Sequence, residues 1–466
     1  MRKRITRFKE IKRKRVVLSI VVFTCTLIVA YLAISAYFMN RFYFGATINC
    51  TSISGKTVQE VDDQIASEVD TYVLEIIERG GQKEQIRAED IALEYIPNGQ
   101  IQDLKNKQNS FKWIAAVFNR EDTTIEKTVS YNEELLKKYV DSLACLNNNI
   151  VEPQNASIKY TDTGYVVIDE VNGNKINKDI LYDNVVKAIL KGESTVDLET
   201  INCYENPKYT SNSKEVVDAK NTLNKYISSV ITYNFGQRTE VLNGLTINNW
   251  LEVDGDFSIT FSEEKVKSYL DALAKSYNTI GKTRELITSI GTSVKVSGGD
   301  YGWLINKNKE VQDLISVIKE GQAATKEPAY IQTALTRENN DLGKTYVEIN
   351  MTKQHLWFYK NGSLIVEGDV VTGNVSKKNT TPAGIYRLKY KQKDATLKGE
   401  DYSTQVSFWM PFNGNIGIHD ATWRSKFGGN IYMTNGSHGC VNAPYDVAKT
   451  IFSNIQPDTP VICYFE

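Results

Sequence analysis

A run of 24 residues, 16–39, carries no charged side chain and follows a segment in which nine of the first fifteen residues are Lys or Arg. Wound as a helix at 1.5 Å per residue, a run of that length is roughly 36 Å long, enough to cross the hydrocarbon core of a bilayer. Inside a bilayer only a helix or a closed barrel can satisfy its own backbone hydrogen bonds. The pattern predicts a single transmembrane anchor over 16–39, with the basic segment 1–15 in the cytoplasm and the chain after about residue 40 outside. A cleaved signal peptide is the alternative, although the stretch is long for one and no small-x-small site closes it. A buried core helix fits poorly beside so dense a basic cluster.

The remainder has the opposite charge balance. Without the first fifteen residues the chain holds 46 basic and 55 acidic side chains, a net of −9, which argues against a nucleic-acid partner. Cys25 lies in the apolar run, leaving only Cys50, Cys145, Cys203, Cys440 and Cys463 outside it. This is too few for a disulfide-dense scaffold, and one pair among Cys50, Cys145 and Cys203 stays open. Cys463 sits in the apolar terminal strand PVICYF and reads as a core residue.

The exterior is long enough for two to four domains. Segment 129–144, VSYNEELLKKYVDSLA, matches 259–274, ITFSEEKVKSYLDALA, at an offset of 130. Each has a candidate N-cap (Asn132, Ser262), two glutamates in the first turn and an apolar stripe behind. Segments 157–192 and 293–321 also run in parallel as strand, glycine-containing turn, strand and amphipathic helix. Helical patterns at 57–72 and 214–229 open the two copies, the first with a capping box from Thr57 and Glu60. The expected outer modules are 40–206, including a membrane-proximal linker, and 207–340. Their aromatics, Trp113, Trp250 and Trp303 among them, read as core, with a sugar- or peptide-binding face as the alternative.

Near residue 341 the pattern changes to alternating apolar and polar residues. Asn361–Gly362 separates two such runs and fits a type I′ hairpin turn. Residues 341–466 are expected to form a β-rich domain with little helix. His355, in the first hairpin strand, reads as structural. The fold class is thus multidomain: a single N-terminal transmembrane helix, two mixed α/β (α+β) repeated modules, and a β-rich C-terminal domain.

That last domain carries the chemistry. The chain has three histidines, and two of them, His419 and His438, flank Cys440 in the stretch Ser437-His438-Gly439-Cys440. A cysteine becomes a nucleophile when a base or an electropositive setting favours its thiolate. Gly439 permits close backbone approach and an unusual dihedral angle, and N–H groups around Gly439 and Cys440 could stabilise an oxyanion. His419 ends the strand-like NIGI and could take the thiol proton; its other ring nitrogen needs an orienting group, either the Asp420 side chain or its backbone carbonyl. His438 is an alternative base. A zinc site using His419, His438 and Cys440 is the main chemical rival, but it lacks a clear fourth ligand beyond Asp420.

At these residues the chain resembles the L,D-transpeptidase, or YkuD-type, catalytic domain. The resemblance rests on His419, seventeen residues, then Ser437-His438-Gly439-Cys440-Val441-Asn442, and on the upstream TGNVSKKNTTPAGIY at 372–386. It covers 341–466. The outer repeats resemble the peptidoglycan-binding modules that precede this domain in some Gram-positive members. The resemblance implies Cys440 as nucleophile, His419 as general base, the Asp420 carbonyl as its orienter, His438 and Gly439 shaping the cleft and oxyanion hole, and Ser437 and Asn442 in support. It implies no cofactor and no metal. The partners it implies are peptidoglycan stem peptides and glycan strands, with the catalytic domain facing the cell wall from the cytoplasmic membrane. The implied reaction attacks the third residue of a tetrapeptide stem, expels D-alanine and forms a 3→3 crosslink, with acylation by carbapenems as a corollary. An L,D-carboxypeptidase, a sortase-like enzyme using Arg424, and a non-catalytic wall-binding scaffold are the alternatives.

Overall fold

A computed structural model of the chain describes residues 2–119, 122–125, 128–399 and 403–466. The chain forms two compact units, one of Met1–Ser157 with Ile168–Asn212 and the other of Ile158–Val167 with Ser213–Glu466.

The first unit opens with the helix Arg2–Tyr37. Its portion Glu10–Tyr37 is long and apolar enough to cross a membrane, a property that signal sequences share. Apolar side chains along it, such as Leu18, Phe23 and Val29, stand exposed. A small core of Phe42, Ile48, Ile53, Val61, Ile65 and Ile101 follows. It gathers on the helix Val58–Asp70, whose Thr57–Glu60 capping box is made in both directions. A larger core behind it holds the first repeat. There Val73–Ile77 pairs antiparallel with Lys83–Arg87 and parallel with Thr195–Asp197. Leu74, Ile76 and Ile86 from this sheet meet Leu136, Leu181 and Val185 from two helices, all buried.

The second unit repeats the plan. Val230–Asn234 pairs antiparallel with Thr239–Leu242 and parallel with Ala323–Lys326. The helices Lys178–Lys191 and Lys307–Glu320 are both capped by an asparagine (Asn177, Asn306) and both end on a left-handed glycine, Gly192 at φ 70° and Gly321 at φ 71°. Asn132 caps its helix through Leu135 N–H as expected, whereas Ser262 makes no side-chain cap bond. Trp250 and Trp303 are core residues, 3% and 9% exposed, which removes them from any binding face. Residues 158–167 also belong to this unit, where Tyr165 donates from its N–H to Asn224 Oδ1 and from its hydroxyl to Asn248 Oδ1.

The C-terminal part of this unit packs two sheets over one core. Five strands run in the order Ser363–Asp369, His355–Lys360, Tyr346–Asn350, Pro460–Tyr464, Gly384–Arg387, and four in the order Gln392–Lys398, Ser403–Asn413, Ile416–Asp420, Val441–Ala443. Phe358 and Val461 of one sheet and Met410, Ile418 and Val441 of the other are fully buried between them, with Ala448 and Ile451 of the helix Tyr445–Asn454. Each fully buried large side chain contributes about 1.5–3 kcal/mol. Asn361 and Gly362 both have positive φ, 53° and 84°, in keeping with the expected hairpin turn. His355 pairs with Asp369 at 2.6 Å across the outer strands and lies away from the chemistry described next.

The second repeat is seated on this sandwich. Tyr301 N–H donates to Ile385 O and Ile385 N–H to Gly298 O, each at 3.1 Å. Gly299 lies so close that a Cβ there would stand 2.0 Å from Ile385 O. Val296, Tyr301 and Trp303 share a core with Ile385, Ile462 and Tyr464. The buried Glu348 carboxylate accepts from Ser289 N–H, the Ser289 hydroxyl and the Tyr464 hydroxyl.

Candidate active site

The strand Ile416–Asp420 runs parallel to Val441–Ala443, in the register Ile418↔Val441, His419↔Asn442, Asp420↔Ala443. His419 thus faces Asn442, and Cys440 stands one residue ahead of the neighbouring strand. Both are buried, His419 at 3% and Cys440 at 8% exposure. Trp409 and Trp423 flank the imidazole, each with its ring centroid 5.9 Å away, and Trp423 is the exposed one.

The hydrogen bonds settle which imidazole nitrogen is basic. Nδ1 lies 2.9 Å from the Asp420 carbonyl oxygen, which can only accept, so Nδ1 carries the proton. The Asp420 carboxylate points elsewhere and accepts from Phe408 N–H at 2.8 Å. Nε2 lies 3.0 Å from Asn442 Nδ2. Asn442 Oδ1 takes a 3.0 Å bond from Arg424 Nε, so the amide presents its NH2 to the imidazole and Nε2 accepts. Arg424 is itself held by the Asn435 carbonyl at 2.9 Å. Neither the contact of Asn442 with the base nor that of Arg424 with Asn442 is legible in the sequence, because the chain Arg424–Asn442–His419 depends on a parallel pairing that leaves no local signal.

The Cys440 loop is tied down by its own polar groups. Ser437 Oγ donates to the Cys440 carbonyl at 2.5 Å and accepts from Gly439 N–H at 3.1 Å. The Gly439 N–H, expected among the oxyanion donors, is therefore engaged within the loop. Gly439 adopts φ 118°, a conformation that favours glycine. The segment 372–386 braces the loop from behind: Thr381 Oγ1 donates to the Gly439 carbonyl at 2.6 Å and accepts from Gly373 N–H at 3.0 Å, and Asn374 N–H donates to the Ser437 carbonyl at 2.9 Å. His438 is exposed. Among the described residues no group of three or more His, Cys, Asp or Glu is arranged to hold a metal ion. A zinc ion would also have to displace the partners of both His419 nitrogens.

Burial acts on both candidate groups. It raises the Cys440 thiol from its ordinary 9.0 to about 11, while the Gly417 N–H works in the opposite direction. Burial likewise lowers His419 below its ordinary 6.5, against the Asp420 carbonyl bond. Near neutral pH Cys440 rests as a neutral thiol, its Sγ directed at the Asn415 carbonyl at 3.5 Å, and His419 as a neutral imidazole, so a thiolate arises only when a proton moves. Alkylation of Cys440 by iodoacetamide in the full chain, followed by peptide mapping, is expected to accelerate about tenfold per pH unit toward a plateau near about 11. A plateau already reached at neutral pH would reveal a preformed thiolate–imidazolium pair instead.

Comparison with known proteins bears on this arrangement directly. A family model for the L,D-transpeptidase catalytic domain, YkuD, matches residues 344–463. A second, described as "Putative peptidoglycan binding domain", matches twice, at 85–197 and 209–326. The crystal structure of a cysteine-to-serine mutant of an Enterococcus faecium L,D-transpeptidase is 31% identical over 54% of this chain and 100% of its own, with a TM-score of 0.46. The chain belongs to the L,D-transpeptidase family.

Two NMR structures of the catalytic domain of the E. faecium L,D-transpeptidase, one of them acylated by ertapenem, are each 40% identical over 26% of this chain and cover 96% and 98% of their own, with TM-scores of 0.24 and 0.25. Comparison with curated proteins returned no match. The transpeptidase is thus a cysteine-dependent enzyme of peptidoglycan crosslinking, with two peptidoglycan-binding repeats ahead of a β-rich catalytic domain.

Arg424 adds a prediction specific to this L,D-transpeptidase. It fixes the Asn442 amide and its charge helps depress His419. Arg424→Leu is expected to lower kcat about tenfold with little change in KM, and to move the acidic limb of the pH–rate profile upward. Arg424→Lys should restore the pH limb better than the rate, because it keeps the charge but loses the planar fork. An unchanged pH limb in Arg424→Leu would leave Arg424 a packing residue only.

Proposed function

We propose that Cys440 is the nucleophile and His419 the general base of an L,D-transpeptidation that joins two peptidoglycan stems in a 3→3 crosslink. The observation that carries this reading is the 2.9 Å bond from His419 Nδ1 to the Asp420 carbonyl, which makes Nε2, held at rest by the Asn442 amide, the basic nitrogen. Nε2 exchanges its bond to Asn442 for the thiol, takes the Cys440 proton, and Sγ attacks the carbonyl carbon of the third residue of a tetrapeptide stem. The Cys440 N–H stabilises the oxyanion. The C–N bond to D-alanine breaks, and the departing amine takes the proton from Nε2. The side-chain amine of a second stem then attacks the thioester, passes its proton to Nε2, and regenerates the thiol as the new amide forms. His438 and Gly439 shape the cleft, and Ser437 and Asn442 hold the loop and the base.

The helix Arg2–Tyr37 serves in this reading as a single membrane anchor, with the basic end in the cytoplasm and the catalytic domain outside. The length and apolar character of Glu10–Tyr37 and the nine basic residues ahead of the uncharged run support it. Anchoring raises the effective concentration of the enzyme beside its polymer. Acylation of Cys440 by carbapenems follows from the same nucleophile, as in the E. faecium domain acylated by ertapenem.

The test incubates the full chain, in detergent micelles, with disaccharide-tetrapeptide and resolves products by mass spectrometry. A dimer that has lost one D-alanine supports the proposal. Monomeric tripeptide alone would make the enzyme an L,D-carboxypeptidase with this substrate, and no product from folded protein would point to another acyl donor.

A further inference from the structure

The segment SFKWIAAVF, residues 110–118, forms a turn of 3-10 helix, Ser110–Lys112, continuing into the short helix Trp113–Phe118, and neither buries a single residue. Phe111, Ile114 and Val117 recur every three residues and are 49%, 48% and 47% exposed, and Phe118 beside them is 83% exposed. The helices Val58–Asp70 and Glu133–Ser142 bury apolar residues, whereas this short surface segment leaves an apolar stripe exposed.

Its position says what covers it. The Tyr31 hydroxyl donates to the Phe111 carbonyl at 2.6 Å, and the Trp113 ring lies 6.0 Å from that of Tyr31 and 6.4 Å from that of Phe38. The segment therefore lies along the last turns of the helix Arg2–Tyr37, inside the uncharged run. Tyr31 precedes residue 39, the end of that run, by eight residues, or about 12 Å of helix. If that helix spans, the roughly 36 Å run overhangs a core of about 30 Å by about 3 Å at each end, so Phe111 and Trp113 beside Tyr31 lie about 9 Å below the headgroup boundary, within the about 5–10 Å by which interfacial helices bury their apolar face. Phe44, 52% exposed, lines one cavity with Ala115 and Ala116 and extends the same apolar surface. Lys107 and Lys112 are exposed beside it and line a cavity of about 410 Å³ together with Phe44, Ala115 and Ala116, a setting that suits lipid phosphates above and acyl carbons below.

We propose that residues 110–118 are a second membrane contact, a wedge that enters the outer leaflet of an anionic bilayer beside the spanning helix and seats the first unit on the membrane surface. The inference rests on the anchor reading above. It differs from it in consequence: a helix alone tethers the first unit, whereas a helix and a wedge fix that unit's orientation on the membrane.

The experiment uses the full chain with Cys25→Ala, Cys50→Ser and Cys440→Ala, so that no exposed or reactive native thiol takes the label, reconstituted into vesicles of equal parts phosphatidylglycerol and phosphatidylcholine. An environment-sensitive fluorophore is placed at Phe118→Cys, at Leu27→Cys within the run, or at Glu89→Cys on an exposed turn. Spin-labelled lipids with the quencher near the carbonyl or near the methyl end supply the depth. The expected result is a blue-shifted Phe118→Cys label that loses most of its emission to the shallow quencher and little to the deep one, with Glu89→Cys unquenched. A quenched Leu27→Cys label with an unquenched Phe118→Cys label would overturn the wedge and leave the anchor standing. An unquenched Leu27→Cys label would overturn the anchor and the wedge together.

Discussion

Cys440→Ala is expected to abolish crosslinked product, with kcat/KM reduced about 10⁴-fold or more, while the protein stays folded. The loss is large because no other described thiol sits on this loop: Cys145, Cys203 and Cys463 are buried elsewhere, where burial pushes each thiol up, and Cys25 and Cys50 belong to the first unit. The structural cost is small because Sγ packs in a modest satellite cluster with Ala395, Val406 and Trp409 rather than in the main core. Removing one sulfur there should cost about 1 kcal/mol. Mass spectrometry of stem products, paired with a thermal melt, separates the two effects. Residual crosslinking within tenfold of wild type in the folded variant would remove Cys440 as the nucleophile.

His419→Gln is expected to lower kcat about 10²–10⁴-fold, the range for a positioned general base. It also has a signature in stability. Burial holds His419 below its ordinary 6.5 in the folded protein, so the unfolded chain binds its proton first as pH falls. The stability contributed by the neutral imidazole is complete above 6.5 and is lost as pH drops below it toward the folded value. The wild type should therefore lose stability on mild acidification more steeply than His419→Gln, in denaturant titrations at a series of pH values between 7 and about 5. Equal slopes would mean that His419 gains no protection from the proton on folding.

The parts of this structure that were legible in the sequence are those specified locally. The Thr57–Glu60 box, the Asn132 cap and the Asn361–Gly362 turn each need only a few neighbouring residues, and each is formed. The duplication was legible because two helical patterns recur about 130 residues apart, and the matching sheet pairings are found in the two copies. The Ser437–Cys440 loop and the segment 372–386 could be named together, yet nothing in either says that Thr381 joins them through the Gly439 carbonyl. The same holds for Arg424, eighteen residues from Asn442, and for the two tryptophans around His419. Such contacts are fixed by strand register between distant segments, and a single sequence carries no pattern for register. The small core around Ile48, Val61 and Ile101 is not legible for a related reason: its strands are two residues long, too short for alternation to show.

The seat of the second repeat on the catalytic sandwich has a mechanical meaning. Backbone bonds between Tyr301 and Ile385, a glycine with no room for a side chain, and a shared apolar core leave that joint no slack. A glycan strand gripped by the repeat would be offered to Cys440 at one set distance and angle, like stock held in a jig. In that case the spacing between neighbouring crosslinks would be a dimension of the protein.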